Sequence, residues 1–285
     1  MRFLRNDKRS FKNNRKIVKN IVFTTSLTLL LIMSAFTTID KRDLRINTVV
    51  IDAGHGGKDS GTLGEAAKEK DIALKIALEL GKTIQQNLKD VKVIYTRSTD
   101  KFIELEERAQ IANKNGADLF ISIHCNSLPK ETPDSRKQGI YGTETYIMGM
   151  HTSDANFDVA KRENAVILME EGSDEVYEGF DPTSPESYIL FSLYQSAYLE
   201  NSLRLAEKIE YQFGERVQRK SRGVRQAGFW VLYRTSMPSV LVETGYLSNK
   251  NEEKYLNDPY GQTLIASGLF RAFRDYKNEI ESTIN

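Results

Sequence analysis

The stretch Val49-Val50-Ile51-Asp52-Ala53-Gly54-His55-Gly56-Gly57 decides the reading of the fold. A short apolar run reads as a strand and breaks into a glycine-rich turn that carries one of only three histidines. The spacing that follows predicts a helix over 69–88, with Ile72, Ala73, Ile76, Ala77, Leu80, Ile84 and Leu88 three and four residues apart. Val91–Thr96 (VKVIYT) is β-like, and 102–114 reads as a helix with Leu105, Ala109 and Ala112 inward. Asp118–His124 (DLFISIH) and Ile140–Met148 read as strands, and Phe229–Tyr233 with Ser239–Glu243 complete a set of about six. A helix over 260–280 closes the chain through Ile265, Leu269, Phe273 and Ile280. Strands alternating with helices predict an α/β fold around one sheet.

Residues 149–200 interrupt that rhythm. They form a long polar insertion between two strands, with a helix expected near 157–171, an acidic stretch (EEGSDEVYEGFDPTSPES, 170–187) and a helix from about 186 to 217. A connection of this length inside one domain is usually functional.

The chain has 285 residues and a formal net charge of +1, unevenly distributed. Residues 1–37 hold eight Lys or Arg against one acid, which leaves 32 basic and 38 acidic side chains for the rest. The basic excess belongs to the leader, and charge excludes a nucleic-acid binder. The leader places a basic stretch before the apolar run Ile21–Phe36, the order of a secretory signal peptide or a retained membrane anchor. Residues 1–42 are therefore expected to export the remainder, 43–285, with 21–36 as a possible tether. The small-x-small site Ala35-Phe36-Thr37 is weak, so cleavage stays open. The lone cysteine, Cys125, forms no internal disulfide.

His55 follows one strand and His124 ends another, where open α/β sheets place their sites. A catalytic zinc takes three protein ligands and keeps one position for water. Two histidines need one carboxylate, and Glu69 suits: it starts the 69–88 helix in line with the stripe through Ala73 and Ile76, so it faces inward. Taken singly, each residue has a plainer reading: a strand histidine is more often structural, and a helix-start acid more often solvated. The glycine turn is no phosphate cradle, because Lys58 is followed by Asp59. His124 and Cys125 are adjacent strand residues on opposite faces and cannot easily share a metal, so Cys125 reads as buried filler. Glu243, after the run Val240-Leu241-Val242, suits a general base that takes a proton from water and passes it to a leaving amine. A strand-end glutamate capping a turn is an equal reading on spacing alone.

The segments VVIDAGHGGKDSG (49–61), EKDIALKIA (69–77), VIYTRSTD (93–100), ERAQIAN (107–113), DLFISIHCNS (118–127) and QAGFWVLYRTSMPSVLVETGYLSN (226–249) together resemble the family-3 N-acetylmuramoyl-L-alanine amidases, in that family's order. The resemblance implies a twisted, six-stranded, mostly parallel sheet flanked by helices. It implies zinc on His55, Glu69 and His124, with Glu243 catalytic. It implies hydrolysis of peptidoglycan between N-acetylmuramic acid and L-alanine. The leader places that activity outside the cytoplasm, in the periplasm or cell envelope, and a monomer is expected. Cys125 departs from the small residue usual there. Arg97 and Arg108 match family positions and read as structural ion pairs; His151 reads as a surface residue. The insertion resembles that of amidases that separate daughter cells, through Arg162-Glu163-Asn164-Ala165 and the helix after Glu186. In those relatives the insertion blocks the site until an activator protein displaces it, which makes Glu163, Glu170 and Glu171 candidates for the blocking carboxylate. Rival readings are a zinc peptidase of the stem peptide and a non-catalytic wall-binding protein. A serine hydrolase is disfavoured, since no G-x-S-x-G elbow is present.

Overall fold

An apolar run with no polar alternation is the mark of a strand buried on both faces, and Thr48–Ala53 (β1) lies inside the sheet, one strand from its edge. The computed structural model describes residues 45–150, 153–192 and 198–282. Both the leader 1–42 and His151 lie outside the described residues. β1 pairs in parallel with Lys92–Tyr95 (β2) on one side and Leu119–Asn126 (β3) on the other. β3 pairs in parallel with Ser239–Tyr246 (β6). Thr143–Met148 (β4) runs antiparallel to β6, and Ser221–Ala227 (β5) lies parallel to β4 at the edge. The order β2-β1-β3-β6-β4-β5 gives the expected six-stranded, mostly parallel sheet, with the last two strands reversed.

Side chains alternate faces along each strand, and this sorts the core. Val49, Ile51, Ile121, Ile123, Cys125, Val240 and Val242 point to one face. There they meet aliphatic stripes of three helices, Glu69–Asn87 (α1), Leu199–Glu215 (α4) and Pro259–Ser282 (α6). Val50, Phe120, Tyr146 and Leu241 point to the other face. Asp52, His124, Asn126, Glu144 and Glu243 occupy the same alternating positions as that second set, so chemistry gathers on one side of the sheet.

That second face is covered by Leu105–Lys114 (α2), by the insertion, and by the single helical turn Trp230–Tyr233. The turn corrects the sequence reading, in which Phe229–Tyr233 was a strand. Phe-Trp-Val-Leu-Tyr is uniformly apolar and carries no period, so it cannot be told from a buried helical turn by pattern alone. Asn164 Oδ1 accepts from Trp230 N at 2.9 Å and holds the start of the turn. The real sixth strand, Ser221–Ala227, is polar and mostly half-buried, as an edge strand can be.

The insertion also differs in detail. The helix expected near 157–171 is Asp154–Asn164 (α3), capped by the Ser153 hydroxyl accepting from Asn156 N at 3.3 Å, followed by a 3-10 turn over Ala165–Met169. The expected 186–217 helix is several pieces: short turns over Pro185–Tyr188 and Ile189–Ser192, then α4. Lys250–Asn257 (α5) precedes α6. Among the described residues no helix is long and apolar enough to cross a membrane.

Candidate metal centre and active site

The turn after β1 is forced into shape by close approaches. His55 has φ 61° and Gly56 φ 125°, conformations that need outside support for a non-glycine residue. Two buried arginines supply it. Arg108 donates to the carbonyls of Ala53 (2.8 Å) and His55 (2.7 Å), while Arg97 donates to those of Ala53 (2.9 Å), Gly54 (2.7 Å) and Lys70 (2.8 Å). Arg108 also pairs with Asp52 at 2.8 Å, as the sequence reading held. Arg97 departs from it: among the described residues its hydrogen bonds go to the backbone carbonyls of Ala53, Gly54, Lys70 and Thr99, so it acts as a clamp. Burial would raise the Asp52 pKa, but the Arg108 charge, with hydroxyl bonds from Ser122 and Thr96, holds it below the usual range. Gly54 is required sterically: a Cβ there would lie 2.4 Å from the His124 ring.

His55, Glu69 and His124 converge. Glu69, fully buried at the first turn of α1, places Oε1 3.1 Å from both His55 Nε2 and His124 Nδ1. Its Oε1 also accepts from Cys125 N at 2.8 Å, and its Oε2 from Thr62 N at 2.8 Å. Asp59 Oδ2 lies 2.7 Å from His55 Nδ1, which turns Nε2 toward the cluster. Cys125 Sγ points the other way, into the core beside Thr244.

A fourth group comes from the insertion. Glu163 Oε2, carried by α3, sits 3.2 Å from His55 Nε2 and 3.0 Å from His124 Nδ1. The ligand atoms of His55, Glu69, His124 and Glu163 all lie within 4.8 Å of one another, and all four residues are buried. A tetrahedral site with bonds of about 2.0–2.1 Å has edges of about 3.3 Å, close to the 3.0–3.2 Å spacings between the imidazoles and carboxylates. His55 Nε2 and Glu163 Oε2 are buried without a well-formed hydrogen bond. Such orphaned atoms are costly unless a further group satisfies them, and their convergence fits a cation. Of the other two candidate carboxylates, Glu170 bonds to Leu105 N (3.0 Å) and to the Tyr177 hydroxyl, and Glu171 is exposed; neither joins the cluster.

The charges respond to this crowding. Burial alone would depress the His124 pKa, but the Glu163 charge and its bonds to Glu163 and Glu69 raise it to about 9. Burial works the same way on His55 and is overridden by Glu69, then by the bond to Asp59. Glu243 faces His124 across the β3–β6 ladder and is fully buried. Burial, then the Glu163 charge, pushes its carboxyl well above the ordinary range.

A groove of about 1300 Å³ opens from this centre, lined among others by Asn126, Glu144, Arg162, Arg222 and Tyr246. None of those five was singled out from the sequence as a site residue. They are polar residues in strands and a helix with no spacing signal, and only the folded sheet collects them.

The family model described as N-acetylmuramoyl-L-alanine amidase matches residues 49–275. The chain belongs to this amidase family. AmiA of Escherichia coli K12 is 34% identical over 238 residues, covering 81% of this chain and 78% of AmiA. AmiC of Escherichia coli O6:H1 is 32% identical over 232 residues, covering 80% of this chain but only 52% of AmiC, so the chain spans about half of that relative. The solved structure of the N-acetylmuramoyl-L-alanine amidase AmiC2 of Nostoc punctiforme superposes with a TM-score of 0.57 at 30% identity, covering 80% of this chain and 96% of that one.

Proposed function

We propose that residues 43–285 form a zinc-dependent amidase that cleaves peptidoglycan between N-acetylmuramic acid and L-alanine, and that Glu163 holds it in a closed state. The observation that carries this reading is the buried set His55, Glu69, His124 and Glu163, with Glu243 on the neighbouring strand. A zinc ion on His55, Glu69 and His124 would supply a Lewis acid for the lactyl amide carbonyl and an acidified water.

The chain's own residues do the remaining work. Asp59 fixes the ring of His55, and the Cys125 and Thr62 amides fix Glu69. Glu243, raised above the ordinary glutamate range by its burial, is suited to accept a proton from the attacking water and return it to the alanine nitrogen. Glu163 stands where a catalytic site needs a free position, since three protein ligands leave one open and four close it. Release of the insertion, by an activator protein that binds within 149–200, would open that position. Export through the leader 1–42, with or without cleavage, would deliver the enzyme as a monomer to the periplasm or cell envelope, for wall remodelling or daughter-cell separation.

The test uses residues 43–285. Metal analysis is expected to find one zinc per chain, lost in His124→Ala. Replacing 155–185 by a short Gly/Ser linker is expected to raise activity on purified sacculi several-fold, with whole stem peptides released. Release of stem fragments would instead indicate a peptidase. A folded, zinc-loaded linker variant no more active than the parent would overturn the closed-state reading.

A further inference from the structure

Arg162, next to Glu163 on α3, is held at four points. Its Nε lies 3.0 Å from Glu163 Oε1, its NH1 donates to the Ser127 carbonyl at 3.1 Å, and its NH2 reaches Asn126 Oδ1 at 3.2 Å and Glu243 Oε1 at 3.4 Å. Three of these acceptors belong to the sheet side of the site, and they converge on one cation beside the histidine cluster.

The middle acceptor is built for that direction. Asn126 Nδ2 donates to Glu144 Oε2 at 3.1 Å. Glu144 is also held by the Tyr146 hydroxyl at 2.9 Å and by Arg222 Nε at 2.7 Å. A carboxylate so engaged can only accept, so it orients the Asn126 amide with its nitrogen toward Glu144 and its oxygen toward the site. Ser127 N donates to the same oxygen at 2.7 Å, which reinforces that orientation. Asn126 is almost fully buried.

Hydrolysis of an amide breaks the C–N bond and forms a C–O bond with water. One product is a carboxylate and the other an amine that takes up the protons as an ammonium. Arg162 and Glu163 present the same pair of charges side by side, with the anion at the histidine cluster and the cation one step away, against Glu243. We infer that Asn126 Oδ1, the Ser127 carbonyl and Glu243 form the subsite for the leaving amine, and that Arg162-Glu163 occupies the site as a mimic of the two products. Asn126 is then a substrate-touching residue. It accepts from the amide N–H before cleavage and from the ammonium after it, while Glu144 and Arg222 are positioning residues acting through it. This assignment rests on the proposed amidase reading and adds where the leaving half of the substrate sits.

The experiment measures binding of two probes, an L-alanyl-D-isoglutamine dipeptide with a free amine and its N-acetylated form, by calorimetry on residues 43–285. Arg162→Ala is expected to bind the free-amine probe about tenfold or more tightly than the parent, the scale of a hydrogen bond to a charged group, with no gain for the acetylated probe. Adding Asn126→Ala to Arg162→Ala is expected to remove that gain while zinc content stays unchanged. Equal gains for both probes, or a gain that survives Asn126→Ala, would overturn the inference. Should the double variant fail to fold, Arg162→Ala with the two probes decides alone, because mere unblocking of the groove would favour both. Zinc content and cleavage of sacculi, run in parallel on Glu163→Ala, keep the readings apart: loss of both sinks the amidase reading, whereas cleavage without amine discrimination sinks only this subsite.

Discussion

The floor and the roof of the site are fastened by different means. The floor consists of β1, β3 and β6 with the turn after β1 and the first turn of α1, and the parallel ladder sets Ala53 beside Ile123 and His124 beside Glu243. The ladder bonds that position those residues are also the bonds that form the sheet. The roof is the insertion, which reaches the same centre through a few side-chain pegs. Asn164 ties α3 to Gly228 and Trp230, Lys58 donates to the Met169 carbonyl at 2.5 Å, and Glu170 holds Leu105 N. Beneath it, Tyr177, Phe180, Tyr188, Phe191 and Trp230 stack edge to face or tilted. On the closed-state proposal, the roof opens as a local unit while the floor, bound into the sheet, keeps its shape. A stiff reaction centre is then joined to a removable stopper.

The largest expected effect separates two glutamates of the floor. Glu243→Gln is expected to keep zinc and lose about 10²–10⁴-fold in kcat, the range for losing a general acid–base group. Glu69→Gln is expected to lose zinc instead, because its carboxylate meets both imidazoles. A Glu243→Gln enzyme cutting sacculi near the parent rate would remove Glu243 from the chemistry and leave the floor as a metal site alone.

Next comes the cost of damaging the floor's support. Arg108→Ala leaves the Asp52 carboxylate buried without its cation and frees the His55 carbonyl, while the Ala53 carbonyl keeps its bond from Arg97. Breaking one side of a buried pair costs about 3–5 kcal/mol, to be read from the denaturant midpoint. A loss no larger than the ~1 kcal/mol of a surface pair would mean that the floor is not the stiff half.

The same division explains what the sequence makes legible. In the floor, strand and helix periods are strong, and each candidate ligand sits at an element's end: His55 just after β1, Glu69 at the first turn of α1, His124 near the end of β3. The apolar stripe through Ala73 and Ile76 already turned Glu69 inward, and it is fully buried. Around the roof the apolar residues are aromatic and clustered rather than periodic, so the 230–233 turn passes for a strand, and the polar edge strand 221–227 gives no strand signal. Glu163 was one of three adjacent candidates, and only the end of α3 distinguishes it from Glu170 and Glu171. Asn126 and Glu144 lay unmarked on neighbouring strands because their link is a cross-strand contact, which no single-chain spacing encodes.

The smallest expected effect is on the roof, and it bears most directly on the contrast. Asn164 is fully buried, its Nδ2 donating to the Gly228 carbonyl at 2.8 Å and the Tyr188 hydroxyl at 3.1 Å while its Oδ1 accepts from Trp230 N at 2.9 Å. Asn164→Ala removes all three bonds and leaves the Gly228 carbonyl and Trp230 amide to find other partners, a cost of about 1–3 kcal/mol. If roof and floor are separate units, that cost falls on the closed state alone. It then enlarges the open population, and basal cleavage of sacculi rises several-fold with no activator present. Hydrogen exchange would accelerate over 154–190 while protection across 119–126 and 239–246 stays at the parent level. If instead exchange accelerates in all three segments together and activity does not rise, the insertion is part of one cooperative unit. The stopper would then have to be displaced by rigid movement of α3 rather than by release of its pegs.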